Sequence, residues 1–188
     1  MSAQDSPEWL AERCGKATAS EFHAILAKGQ GKTRAAYLRR VVAERLTGKP
    51  METYKNKDME RGVEQEPYAR MAYEGRTGLM VEEAGFIKHA TLEAGCSPDG
   101  LVCDDGGVEI KSVIPTVQLD TILAGGYPSE HRSQIQGNIW LCNRKWWDFC
   151  SFSPDMPERL RLYVFRVPRD DAYIVTLQAE VTVFLNEV

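Results

Sequence analysis

Two carboxylates and one ammonium stand at a spacing that suits metal-dependent cleavage of a phosphodiester: Ser97-Pro98-Asp99-Gly100, followed by Glu109-Ile110-Lys111. Glu109 and Lys111 are two apart in a run, Gly107 to Val113, that reads as a strand. Both side chains therefore leave one face, while Val108 and Ile110 leave the other. Between Leu101-Val102-Cys103 and Gly107-Val108-Glu109, the turn Asp104-Asp105-Gly106 suits a three-residue hairpin loop with Gly106 in the left-handed position. That loop pairs Cys103 with Gly107, Leu101 with Glu109 and Asp99 with Lys111, and gathers Asp99, Glu109 and Lys111 on one face. A two- or four-residue loop sends Asp99 to the other face.

Such a trio suits a hard cation. Mg²⁺ takes oxygen ligands octahedrally and keeps several waters, so Asp99, Glu109 and a backbone carbonyl, that of Ile110, suffice without His or Cys. Lys111 then orients or deprotonates the attacking water, because an amine that is partly desolvated and close to a divalent cation has its charged form disfavoured. Glu109 and Lys111 alone would be an ordinary surface salt bridge; Pro98-Asp99 at this distance, joined by a compatible turn, is what sets them apart.

The surrounding elements follow from patterning. Thr18-Ala19-Ser20-Glu21 caps a short helix through Leu26, and Lys28 to Lys32 is a basic loop. Thr33 to Leu46 reads as a helix closed by Gly48 and Pro50. Asp58 to Glu74 is mostly helical, with Met59, Val63, Ala69 and Ala72 apolar, and Pro67 is expected to interrupt it with a kink after Glu66. Strands are expected at 79–83, 85–88, 94–96, 101–103 and 108–113. A helix over Ser129–Cys142, strands at 146–152 and 161–167, and a closing helix from Asp170 to Asn186 complete the pattern. The fold class is α/β: a central mixed β-sheet flanked by helices. Trp146, Trp147, Phe149 and Phe152 alternate in a strand and are assigned to the core rather than to base stacking.

With 188 residues, 43% hydrophobic and 27% charged, the chain is long enough for one domain with its own core. The expected division is a helical part over 1–57 that contacts DNA and a catalytic core over 58–188. No apolar run is long enough to span a membrane and no signal peptide is evident, so a cytoplasmic protein is expected. The five cysteines, Cys14, Cys96, Cys103, Cys142 and Cys150, are scattered and read as reduced core thiols; their spacing gives little support for an iron–sulfur cluster. His23, His89 and His131 form no zinc motif. The net charge of −4 argues against a generally basic nucleic-acid binder. Lys28, Lys32, Arg34, Arg39, Arg40, Arg45 and Lys49 nevertheless accumulate in the N-terminal quarter, either as a phosphate-facing surface or as a solvated helix face.

Several stretches together carry a resemblance: Glu66-Pro67-Tyr68-Ala69-Arg70 with Tyr73-Glu74, Ser97-Pro98-Asp99-Gly100, Glu109-Ile110-Lys111, Gln134-Ile135-Gln136, and Trp147 through Phe152-Ser153-Pro154. In order and spacing the chain resembles the lambda exonuclease and YqaJ-type viral recombinase family, a branch of the PD-(D/E)XK nucleases with their restriction-endonuclease-like core. The resemblance implies Mg²⁺-dependent 5′-to-3′ digestion of one strand of linear double-stranded DNA to 5′-mononucleotides, with Mn²⁺ able to substitute. It also implies ring-shaped homotrimers that enclose DNA, a single-strand annealing protein as partner, and a phage or prophage gene expressed in a bacterial host.

By the same resemblance, Glu66 takes the helix-borne acidic position, with Glu64 a weaker candidate. Asp99, Glu109 and Lys111 take the metal-ligand and lysine positions, and Gln134 rather than Gln136 the glutamine that approaches the site. Trp9 to Arg13 and Thr18 to Glu21 also match, and assign Arg13 with Ser20 to the 5′-phosphate, a role apt for an arginine fork and a hydroxyl near a helix start. The loop from Lys28 to Lys32 and the stretch from Pro50 to Lys57 match only loosely. The implied mechanism uses one or two metals: Asp99, Glu109 and the Ile110 carbonyl hold one, and Glu66 a second or its water. The rival readings are an endonuclease built on the same core and a catalytically silent DNA-binding scaffold. A glycosidase carboxylate pair leaves Lys111 unexplained.

Overall fold

The computed structural model describes residues 6–27, 31–51 and 57–188, without the side chains of 58 and 59. Lys28, part of the basic loop, most of the stretch after Pro50 and the Met59 side chain thus lie outside the described residues. The chain begins with α1 (Pro7–Arg13), started by the Ser6 side chain accepting from the Trp9 N–H, with Pro7 in the first turn where its missing donor costs nothing. Then come β1 (Ala17–Thr18), a 3₁₀ turn over Ala19–Glu21 and the single turn α2 (Phe22–Ile25). The helix cap expected at Thr18 is not made. Its hydroxyl lies 3.4 Å from that of Ser20, and its N–H donates to the Tyr37 hydroxyl.

Helix α3 (Lys32–Thr47) ends at Gly48, whose positive φ of 64° lets its N–H reach the Glu44 carbonyl. Helix α4 (Lys57–Thr77) runs on through Pro67 rather than being interrupted there. It buries Ala69 and Tyr73, whereas Val63 is exposed. Short strands β2 (Val81–Glu82), β3 (Ile87–Lys88) and β4 (Ala94–Cys96) precede the hairpin of β5 (Gly100–Val102) and β6 (Gly106–Ser112). Helix α5 (Pro115–Ala124) was not expected. After it, a 3₁₀ turn over Ser129–His131 leads into α6 (Arg132–Leu141), then β7 (Trp146–Phe152), α7 (Glu158–Arg161), β8 (Leu162–Pro168) and α8 (Asp171–Glu187).

The main sheet has the order β2-β5-β6-β7-β8, with β6 and β7 parallel and the other pairs antiparallel; β1-β4-β3 form a smaller sheet. The parallel pair requires a crossover, which α5 and α6 supply. Helix α4 covers one face, packing Ala69 and Tyr73 on Val108, Ile110, Cys150 and Phe152. The other face is covered by α2, α6 and α8, where Phe22, Ile135, Ile139 and Leu177 meet Trp147 and Phe149. Covered on both sides, β7 is buried nearly throughout. Trp146 is the partial exception: it sits half-buried with the Arg166 guanidinium 3.6 Å over its ring.

The hairpin corrects the expected register. Its loop does have three residues, but they are Cys103-Asp104-Asp105, and Cys103 rather than Gly106 takes the positive φ, 49°. Val102 pairs with Gly106 and Gly100 with Val108, which puts Asp99 opposite Glu109 instead of Lys111. The slip changes the pairing sum by two, an even number, so Asp99, Glu109 and Lys111 still share a face. Cys103 is exposed at this turn rather than a core thiol, and all five cysteines are free. The basic stretch is also partly committed internally: Arg34 pairs with Glu187, Arg40 with Glu21, and Arg45 donates to the Gly15 carbonyl. Lys32, Arg39 and Lys49 remain exposed. Among the described residues, no helix is long and apolar enough to cross a membrane.

Candidate active site

The site forms where β6 runs past the start of β5. Antiparallel pairing stops at Gly100 and Val108, and the Asp99 carboxylate takes over as the partner of the next free donor, accepting from the Ile110 N–H at 2.6 Å. In a strand, one residue's N–H and C=O leave on the same side. The Ile110 carbonyl therefore points toward Asp99 as well, beyond the end of β5.

Glu109 is 1% exposed, and its carboxylate is held from three directions. Lys111 Nζ and Gln134 Nε2 each lie 2.6 Å from Oε1, and Asn138 Nδ2 lies 3.1 Å from Oε2. Gln134 and Asn138 are four apart on α6, so one helix face presents both amides to one carboxylate. Lys111 Nζ also reaches Gln134 Oε1, at 3.4 Å. From α4, Glu66 faces the site half-buried and paired with Arg70 at 2.9 Å, and Arg70 also pairs with Glu83. Glu64 is exposed on the same helix, and Gln136 turns away from the site to donate to the Pro168 carbonyl and accept from the Asp170 N–H.

The electrostatics are those of too many carboxylates for one lysine. Burial, reinforced by Glu109, holds Asp99 well above the usual carboxylate range. Burial also raises Glu66, with Arg70 pulling it back and Glu109 adding to the rise. Burial alone would lower the Lys111 ammonium, but Glu109 and Asp99 outweigh it and leave its pKa above the ordinary lysine value. The disfavoured charge expected of Lys111 is that of an amine beside a divalent cation; facing the two carboxylates alone, with its side chain 29% exposed, its ammonium is stabilised.

Arg13 leaves α1 toward the same region. Its Nη1 donates to the Ser97 hydroxyl at 2.9 Å, as does the Trp9 indole, also at 2.9 Å. Its guanidinium lies 4.1 Å from the Trp9 ring centroid and 5.8 Å from that of Phe86, and burial lowers its pKa. Ser97 stands two residues before Asp99, which ties α1 to the Asp99 segment. Ser20 is exposed in the 3₁₀ turn, and among the described residues no hydrogen bond joins it to Arg13.

Asn138 is a partner of the site that sequence reasoning did not single out, and Ser97, Trp9 and Arg70 stood within the quoted motifs without a role. Asn138 was findable, standing one helical turn after Gln134. Among the described residues no group of three or more His, Cys, Asp or Glu side chains is set closely enough to cage a metal by itself. The donor set nevertheless fits a hard cation that keeps its waters: Asp99, Glu109 and the Ile110 carbonyl are all oxygen donors, and the raised Asp99 marks negative charge that a divalent ion would relieve.

The family profile of the YqaJ-like viral recombinase domain matches residues 8–145. An alkaline exonuclease, LHK-Exo, from Laribacter hongkongensis is 38% identical, with a TM-score of 0.90 over 97% of this chain and 92% of that one. The same protein in complex with dAMP gives a TM-score of 0.91 at the same identity and coverage. A phage-related exonuclease from Haemophilus somnus 129PT, 16% identical with a TM-score of 0.70 over 92% of each chain, shares the fold. Comparison with the curated proteins found no match.

Proposed function

The chain belongs to the YqaJ-like viral recombinase family, and on that premise we propose that it is a Mg²⁺-dependent nuclease. It digests one strand of linear double-stranded DNA from the 5′ end to 5′-mononucleotides and leaves a 3′ single strand for recombination by annealing. The observation that carries this reading is the convergence of Asp99, Glu109, Lys111 and Gln134 beyond the end of β5, with the Ile110 carbonyl beside them. The likeness to an alkaline exonuclease, known also with dAMP, supports the substrate class.

Asp99, Glu109 and the Ile110 carbonyl would hold Mg²⁺, with Glu66 as the reserve carboxylate for a second ion. When bound, the metal supplies charge neutralisation at the phosphate and a more acidic water. The chain's own residues do the rest. Lys111 has three N–H donors; one goes to Glu109 and one to Gln134, and the third is left to orient the attacking water. To act as the base, Lys111 would first release one proton to solvent, which a cation offsetting the carboxylate charge beside it would favour; it would keep two N–H donors on Glu109 and Gln134 and take the water's proton on the freed lone pair. Gln134 holds the same oxygen of Glu109, Oε1, that Lys111 holds. Arg13, lifted over Trp9, takes the terminal 5′-phosphate together with the Ser20 hydroxyl. A homotrimer ring around the duplex, an annealing partner for the exposed strand and a phage- or prophage-encoded role in the bacterial cytoplasm complete the proposal.

The test uses linear duplex with 5′-phosphate or 5′-hydroxyl ends and covalently closed circles, each incubated with Mg²⁺ or with a chelator. Loss of one strand from the linear duplex, faster with 5′-phosphate and absent with chelator, is the expected result. Cut circles would establish an endonuclease instead, and intact DNA throughout would establish a scaffold.

A further inference from the structure

The geometry points to Asn138 as a positioning residue that decides which oxygen of Glu109 is free to meet a metal; this rests on the nuclease reading above. A carboxylate oxygen offers two lone pairs. Oε1 of Glu109 has both committed, to Lys111 and Gln134 at 2.6 Å each. Oε2 has one committed, to Asn138 Nδ2 at 3.1 Å. The remaining lone pair of Oε2 is the one acceptor site these three donors leave open.

Without Asn138, Lys111 and Gln134 would still hold Oε1, but the carboxylate could turn about that anchor and carry Oε2 with it. Asn138 closes that freedom from a buried place in α6, where it is 1% exposed. Its neighbour Gly137 packs against Phe22, which fixes how closely the helix approaches. The carboxylate requires a donor at this point, so the amide nitrogen must face it. An outer contact that orients a ligating carboxylate in this way typically changes metal affinity or activity by about 10–100-fold when removed.

The experiment compares wild type with Asn138→Ala and Asn138→Val, two donor-less replacements of different size, and with Gln136→Ala. The last loses a buried amide from the same helix on the side away from the site. Mn²⁺ binding to the DNA-free protein is measured by calorimetry, the Mg²⁺ dependence of strand loss by activity, and folding by metal-free melting. We expect the Asn138 variants to bind Mn²⁺ at least tenfold more weakly, and to regain strand loss to within a few-fold at high Mg²⁺. Gln136→Ala is expected to melt earlier with its Mn²⁺ affinity unchanged. A folded Asn138 variant that binds Mn²⁺ within twofold of wild type would overturn the inference. A wild type that neither binds Mn²⁺ nor degrades DNA would overturn the nuclease reading, and this inference with it.

Discussion

Lys111 does two jobs with one nitrogen, and they pull in different directions. It neutralises the buried Glu109 carboxylate at rest, and in the proposed reaction it handles the attacking water. Lys111→Ala therefore should not be a silent catalytic knockout. It removes the charged partner of a 1% exposed carboxylate and leaves two neutral amides in its place. Losing that partner should cost roughly 1–3 kcal/mol of metal-free stability. The catalytic loss should be larger: a fall in kcat of about 10²–10⁴-fold, the usual worth of a positioned proton-transfer group, with KM for DNA changed only a few-fold. Urea unfolding in chelator and in Mg²⁺ separates the two effects. A cation beside Glu109 should restore much of the stability and none of the rate, and a variant that kept wild-type turnover would remove Lys111 from the mechanism.

Helix α6 shows how an element sets the precision of a site. Gly137 lies between Gln136 and Asn138, and a Cβ there would come 2.7 Å from Cδ2 of Phe22, a ring with no exposure and no room to yield. Gly137→Ala gains about 1 kcal/mol of helix propensity but pushes α6 off the 3₁₀ turn and α2. Overpacking of this kind costs about 1–3 kcal/mol, so the net change is a loss of about 0–2 kcal/mol while Gln134 and Asn138 shift relative to Glu109. The expected signature is a melting temperature lowered by no more than about 8 °C with a clear loss of strand digestion; unchanged digestion would mean α6 tolerates the shift. The elements read well from the sequence where one physical signal dominated. The aromatic run of β7 has the expected bounds, 146–152, because turns flank it and both faces are covered. Helix α5 escaped because its pattern is inverted: the buried positions are Gln118 and Thr121, while Val117, Leu119 and the 82% exposed Leu123 face outward. Gln118 is satisfied by the carbonyls of Ser151, Leu160 and Arg161 and by the Ser151 hydroxyl, partners supplied by distant chain that no local periodicity reveals. The site was legible down to parity and no further. The Asp99, Glu109 and Lys111 set survives a register slip because the slip is even, whereas the third anchor of Glu109 is an ordinary asparagine whose meaning appears only once α6 lies against β6.

At the scale of the whole molecule, the sheet is closed by α4 on one face and by α2, α6 and α8 on the other, and the site opens at the end of the β5–β6 pairing. Charge brought into that setting must be stabilised locally, and His131 reports how well. It sits in the 3₁₀ turn before α6, stacked on Phe149 with centroids 5.6 Å apart at 23°. Burial, and then the nearby Lys111, lower its pKa below the ordinary 6.5. A histidine with a depressed native pKa binds fewer protons folded than unfolded, so its contribution to stability is fully present above about pH 6.5. It is lost progressively as the pH falls through the depressed native value. The wild-type protein should therefore lose unfolding free energy on acidification from pH 8 into this window. His131→Phe, which keeps a ring against Phe149 but cannot take up a proton, should lose less over the same range. Carboxylates titrate in both proteins, so the quantity to follow by urea unfolding is the difference between the two curves. A difference that widens below pH 6.5 is the expected outcome. Parallel curves would mean that Lys111 and the imidazolium coexist without penalty, and that the helix-side approach to the site is more solvated than its packing indicates.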